Sequence, residues 1–359
     1  MTTLNKRSHK RPKNNVIVKN IPNIPLPPSP HQKEKKKKKM PEIIDDKSQH
    51  CIPFLLERLK VHQQRFGNDP ARTPPFFLGL NGVQGAGKTV LVSTLQSTLR
   101  SPPYSLPVIT LSLDDLYLTH EEQVNLAKSH PSNPLLQHRG QPGTHDLPLA
   151  KEVFASLRAG RATAIPQYDK SAYAGQGDRV PEPQWEIVNG EGQEKVKVII
   201  FEGWCVGFRA LDDQLLRQKW DDAVRRKQQG DYDGRLGYVP FEAVKAVNDA
   251  LKEYDLITDQ LDALIHIDAK DLHFVYNWRQ EQERTLLAAK GTGMTPEQVT
   301  HFVNGYYPSY ELFTEGIRAG TFRPTGHTTT SATPSAGWKD RQLHLIVDKN
   351  RKVQEVRKI

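Results

Sequence analysis

Cysteine is scarce in this chain: Cys51 and Cys205 are the only two in 359 residues. Two thiols cannot build a disulfide framework or a four-ligand zinc site, so a reducing compartment is expected. Long apolar runs are missing too. No stretch reaches the roughly 18 apolar residues that a membrane helix needs, so no membrane partner is expected. The N-terminus has no apolar segment of the secretory kind. It has no acidic residue before Glu34, as in organellar presequences, but Lys and Pro outweigh the Arg and Ser that such peptides favour. There is no internal repeat and no sign of a second hydrophobic core.

Net charge is absent from most of the chain as well. The formal total is +9, but residues 1–49 hold 13 Lys/Arg against 4 Asp/Glu, and the other residues hold 37 of each. The basicity belongs to a tail and the body is neutral, which argues against nucleic-acid binding through the folded part. Residues 1–40 are rich in Pro, Asn and Lys and close on a lysine run at 33–39. With so little apolar surface to offset ordering entropy, this tail is expected to be disordered. The lysine run suits contact with polyanions or import machinery as readily as plain solvation. The expected location is the cytoplasm, and the nucleus too if import machinery reads the run. Residues 41–359 then make one domain, with a flexible insertion of Thr, Ser, Pro and Gly near 323–341.

Against these absences stands one contiguous motif. Gly82-Val83-Gln84-Gly85-Ala86-Gly87-Lys88-Thr89 fits the G-x-x-x-x-G-K-[ST] pattern without a mismatch. Residues 76–80 before it read as a short buried strand. Leu91, Leu95 and Leu99, with Val92 beside them, read as the buried side of a helix after it. The glycines allow turns that a Cβ would block. Successive N–H groups then form an anion-binding nest at the positive end of the helix dipole. Lys88 is placed to reach the β- and γ-phosphates of a nucleotide, and the Thr89 hydroxyl to hold Mg²⁺. ATP and Mg²⁺ are therefore the expected cofactors.

Four further stretches read as strands: residues 106–113, 197–203, 262–268 and 343–347. With 76–80 they alternate with helical segments, the pattern of a doubly wound α/β domain with a five-stranded parallel sheet. Ligands of such sheets lie beyond the carboxyl ends of the strands. Two strands end in acids there. Asp114 and Asp115 follow the second, and Glu202 ends the third. One carboxylate can take a hydroxyl proton and others can help hold Mg²⁺. Asp115 could equally cap the helix that starts near Thr119. The loop 129–150 carries Arg139, His145 and Asp146, and the loop opening at Ile165 carries Tyr168, Lys170 and Arg179. Such groups can bind a small anion through charge-assisted hydrogen bonds. Residues 271–290 read as a helix whose Arg279 and Arg284 could close over the phosphates as a lid.

Together these pieces resemble the P-loop small-molecule kinases, which include uridine kinase, pantothenate kinase and phosphoribulokinase. The D-glycerate 3-kinase group, with its fungal members, is the most similar. The resemblance rests on residues 80–89, Ser112 to Tyr117 around Asp114-Asp115-Leu116-Tyr117, Arg139-Gly140-Gln141-Pro142-Gly143-Thr144-His145-Asp146, residues 165–171, 201–204 and 276–279 with Gln282 and Glu283. It implies the P-loop nucleoside triphosphate hydrolase fold and transfer of the γ-phosphate of ATP to a hydroxyl of a small acidic metabolite, with glycerate the best match. It also implies Asp114 as the base, Lys88 and Arg279 as charge-stabilising groups, and Glu202 near Mg²⁺. Arg139, His145, Asp146, Tyr168 and Lys170 fall where related kinases contact the acceptor. A nucleoside, a pantothenate-like compound or a sugar phosphate stays open as the acceptor. A regulatory nucleotide-binding ATPase, or a nucleic-acid-associated factor acting through the tail, would be a reading from another class.

Overall fold

The computed structural model describes residues 45–291, 293–322 and 339–359. The expectations for residues 1–40 and for most of 323–341 fall outside these. The described chain opens with helix α1 (Ser48–Arg65) and strand β1 (Phe76–Gly82), then α2 (Lys88–Arg100) and β2 (Val108–Ser112). A 3₁₀ turn at Leu113–Leu116 leads to α3 (His120–Ser129), and α4 (Leu147–Arg158) follows. Four short strands come next: β3 (Thr163–Ile165), β4 (Tyr168–Asp169), β5 (Asp178–Arg179) and β6 (Glu186–Val188). Then come β7 (Val198–Gly203), α5 (Asp213–Gln229), α6 (Phe241–Glu253), α7 (Asp255–Thr258) and β8 (Ala263–Ala269). The chain closes with α8 (Phe274–Lys290), α9 (Pro296–Ala319), β9 (Gln342–Val347) and β10 (Val353–Lys358).

The main sheet has the order β10-β9-β8-β1-β7-β2. β1 lies at its centre, parallel to β7 on one side and β8 on the other, and every one of its residues is buried. A strand covered on both faces needs the unbroken apolar run that Phe76, Phe77, Leu78 and Leu80 supply. The helix after it buries Leu91, Val92, Leu95 and Leu99, one stripe of a 3.6-residue period. α1 packs against α2, β1 and β8 and buries Cys51, Phe54, Leu55, Leu59 and His62. Burying each of Phe54, Leu55 and Leu59 contributes about 1.5–3 kcal/mol.

The five parallel strands stand where the sequence places them. The sixth, β10, was not foreseen. It pairs antiparallel with β9 and five of its six residues are exposed. Its sequence, Val-Gln-Glu-Val-Arg-Lys, has no run of alternating apolar residues to mark it. A charged outer strand of this kind discourages pairing with another chain. The long loop after Ile165 also carries unforeseen order, as β3 pairs with β6 and β4 with β5. Among the described residues no helix is long and apolar enough to cross a membrane.

Candidate active site

The phosphate loop joins β1 to α2 at the carboxyl edge of the sheet. Gly87, the residue before α2, has φ 94° and Gly85 has φ 78°. A Cβ on Gly85 would also lie 2.5 Å from Trp278, so this glycine is fixed by both conformation and contact. Lys88 Nζ donates to the Gly82 carbonyl at 2.9 Å, curling back over its own loop. Burial pushes its ammonium pKa down, while the nearby carboxylates of Glu202 and Asp114 act the other way. Lys88, Glu202 and Asp114 thus share one electrostatic neighbourhood. Thr89 is exposed at the first turn of α2.

A clasp from the far end of the chain holds this loop from outside. Arg351, in the turn between β9 and β10, donates through Nε to the Gly85 carbonyl at 2.6 Å. Its guanidinium lies over the Trp278 ring and pairs with Glu281 on α8 at 2.8 Å. Trp278 Nε1 donates to the Lys349 carbonyl at 2.7 Å. The buried Lys47 donates to the Arg351 carbonyl at 2.7 Å. No sequence motif marks Arg351. It lies 266 positions from Gly85, and only the parallel pairing of β9 with β8 brings its turn here.

The opposing wall begins at the end of β2. Ser112 Oγ donates to Glu202 Oε1 at 3.0 Å and accepts the Asp114 N–H at 3.2 Å. The hydroxyl therefore ties the two strand-end acids together. Asp114 Oδ1 accepts from the Tyr117 hydroxyl at 3.0 Å, and Oδ2 from Lys170 Nζ at 2.5 Å. Burial would raise the pKa of the Asp114 carboxyl, but the Lys170 charge and hydrogen bond, with His145 and the Tyr117 hydroxyl, hold the group below the usual carboxylate range.

Backbone pairing brings the loop of Arg139 to Asp146 against this acid. Leu118 N–H donates to the Thr144 carbonyl at 3.0 Å, and Asp146 N–H to the Leu116 carbonyl at 2.7 Å. Tyr117 and His145 form an antiparallel bridge with stacked rings. Trp204 Nε1, just past β7, donates to the Gly140 carbonyl at 3.0 Å. Gly140 has φ 142°, and a Cβ there would collide with the Tyr306 hydroxyl. Residues that spacing alone could not join, 114–117, 139–146 and 168–170, are gathered in one place.

Not every candidate side chain faces that place in the same way. Asp146 caps α4 through the Leu149 N–H at 2.9 Å and pairs with Arg179 at 2.9 Å. Arg139 donates to the carbonyls of Gly175 and Gln176 and lies over the Tyr168 ring. Both hold loops. Asp115 accepts the Tyr168 N–H at 3.2 Å, and burial raises its carboxyl to about 6. It does not cap α3, where Thr119 and Glu122 form a capping box. Tyr168 packs edge-on against Tyr117, with its hydroxyl buried. Arg279 pairs with Glu283 at 2.8 Å and lies over Phe302, both partners on the α8–α9 hairpin. Trp278, not Arg279, meets the phosphate loop. Arg284 is exposed on α8.

The donors fit the expected cofactors. Two left-handed glycines and a curled lysine suit a polyphosphate. No cluster of three or more His, Cys, Asp or Glu side chains suited to a metal occurs among the described residues.

No family model matches the chain. An uncharacterized kinase of Schizosaccharomyces pombe, mug58, is 40% identical over 279 residues, covering 77% of this chain and 89% of that protein. The chloroplastic D-glycerate 3-kinase of Arabidopsis thaliana is 31% identical over 307 residues, covering 82% of this chain and 57% of that one. A solved structure, the D-glycerate 3-kinase from Cryptococcus neoformans var. grubii, has a TM-score of 0.74 at 35% identity, covering 88% of this chain and 99% of that one. A phosphate loop on β1, strand-end acids facing it and relatives of this identity lead to one conclusion: the chain belongs to the P-loop kinases of the D-glycerate 3-kinase group and is an ATP-dependent kinase.

Proposed function

We propose that this kinase phosphorylates a hydroxyl of a small carboxylic acid, D-glycerate being the lead candidate. The observation that carries the reading is the Lys170–Asp114 ion pair beside the phosphate loop. It sets a base for a hydroxyl proton next to a cation for a carboxylate. Against its burial, Asp114 is held ionised at neutral pH by Lys170 above all, with help from the Tyr117 hydroxyl. An entering acid draws Lys170 to its own carboxylate, leaving Asp114 to the hydroxyl.

The reaction then balances simply. The acceptor oxygen attacks the γ-phosphorus of ATP, Asp114 takes its proton, and the β–γ bridging P–O bond breaks to release ADP. Lys88 and the loop N–H groups stabilise charge on the transferring group. Thr89, Glu202 and Asp115 would be the groups to hold Mg²⁺, which when bound would neutralise phosphate charge. For Arg279 to reach the transferring group, its ion pair with Glu283 has to open. The test is purified protein with ATP, Mg²⁺ and a panel of hydroxy acids, nucleosides, pantothenate-like compounds and sugar phosphates. A mass gain of one phosphoryl group on a hydroxy acid supports the reading. Transfer to a panel member without a carboxylate, or ATP hydrolysis with no phosphorylated product, overturns it.

A further inference from the structure

Tyr254 follows α6 and is buried. Its phenolic oxygen accepts the Gly143 N–H at 3.1 Å and lies 2.6 Å from His145 Nδ1. Two placements of the protons are conceivable. If Nδ1 carries the imidazole proton, the phenol oxygen accepts twice and its own O–H finds no acceptor in a buried place. If Tyr254 donates to Nδ1, both groups at that junction are satisfied. The first placement leaves two buried atoms without partners, the phenol O–H and the bare Nε2, whereas the second leaves only the Nε2–H. Each such group costs about 1–3 kcal/mol, so the second placement wins. A neutral imidazole has one N–H, which then sits on Nε2.

His145 is itself 5% exposed, and its Nε2 has no hydrogen-bond partner among the described residues. Buried polar atoms without partners are rare in native structures and call for a reason. The ring stacks on Tyr117, whose hydroxyl donates to Asp114. Nδ1 is taken up by Tyr254, so the atom without a partner is the other ring nitrogen, in a ring on which the Asp114 charge acts.

We propose that Tyr254 is a positioning residue that fixes His145 as the Nε2–H tautomer, so that His145 presents a neutral donor to an oxygen of the acceptor. Burial lowers the imidazole to about 4 against the pull of the Asp114 charge, so the ring is uncharged at neutral pH. With its proton on Nε2, His145 cannot take the proton of the attacking hydroxyl. The two candidate bases are thereby sorted: Asp114 receives the proton and His145 holds the acceptor. The identity of the ligand oxygen rests on the acid-kinase reading above, whereas the tautomer does not.

The first measurement needs no turnover. Imidazole ¹⁵N spectra of the full chain, with the His145 signals assigned by their loss in His145→Gln, should show a pyridine-type Nδ1 and a pyrrole-type Nε2. The reverse pattern overturns the proposal. Tyr254→Phe should lose this single pattern and raise the acceptor KM about tenfold, with the KM for ATP unchanged. Because the phenol also holds Gly143, side-chain mimics of the two tautomers provide a second arm. Glutamine places an amide N–H near the Nε2 position and asparagine near Nδ1. His145→Gln should keep the acceptor KM within about threefold, while His145→Asn and His145→Leu raise it about tenfold or more. Equal values for all three overturn the donor role. If the tautomer is as stated but no hydroxy acid is phosphorylated, the acid-kinase reading and the donor role fail together and the part played by Tyr254 stands.

Discussion

The side proposed for the phosphates is made by eight consecutive residues, 82–89, which would bind largely through backbone N–H groups. The side proposed for the acceptor gathers residues from 114–117, 139–146, 168–179 and 254, held by hydrogen bonds between loops. The difference teaches how each side can change. A nest of N–H groups survives most side-chain substitutions as long as its glycines remain. A wall of side chains is retuned by single replacements, because groups such as Asp114, Asp146 and Tyr254 are each held by a specific distant partner.

The largest test of this contrast is Asp114→Asn. It should lower turnover by at least about 10²-fold, the low end for a general base, and leave ATP binding intact by calorimetry. Retained turnover would move the base elsewhere. Next is Lys170→Met, which removes a charge-assisted bond to the acceptor, of about 1.5–3 kcal/mol. The acceptor KM should rise about tenfold or more while the KM for ATP stays. Burial acting alone raises the Asp114 carboxyl, so the acid limb of the kcat/KM profile should also move to higher pH. An unmoved limb would show that Lys170 does not act on the base.

Arg351→Ala probes the other side and should do the reverse. It removes a buried donor to the Gly85 carbonyl and one half of the Glu281 pair. The KM for ATP should rise roughly fivefold to tenfold, the size of one such bond, with the acceptor KM unchanged. Arg351→Lys, which keeps a charge but not the planar fork, should rescue only in part. The smallest effect is expected from Asp146→Asn. Asn caps a helix as well as Asp, so stability by urea denaturation should change by under about 1 kcal/mol. The acceptor KM should move by less than about threefold if Asp146 only caps α4 and pins Arg179. A tenfold rise would restore it to the acceptor contacts.

Much of the phosphate side was legible because its information is local. Strand, glycines, lysine and helix lie within 24 residues, 76–99, and each carries its own periodic or steric signature. The acceptor side was legible only as a set of chemically apt residues. Sequence could nominate Arg139, Asp146 and Lys170 alike. It could not tell that Asp146 is a helix cap, that Arg139 holds the carbonyls of Gly175 and Gln176, and that Lys170 alone pairs with Asp114. Tyr254 and Arg351 carried no signal, since a tyrosine after a helix and an arginine in a turn are common. β10 escaped notice because an exposed edge strand needs no apolar pattern.

The sequence by itself determined the sheet of parallel strands, the phosphate loop and the strand-end acids. Apolar period, glycine sterics and motif spacing act between neighbours along the chain and need no fold to be read. Tertiary structure alone decided which of the polar side chains gather around Asp114 and which bind loops together. A hydrogen bond is short and directional, so its partner is fixed only once β7, α4 and α6 have brought distant residues within about 3 Å of one another.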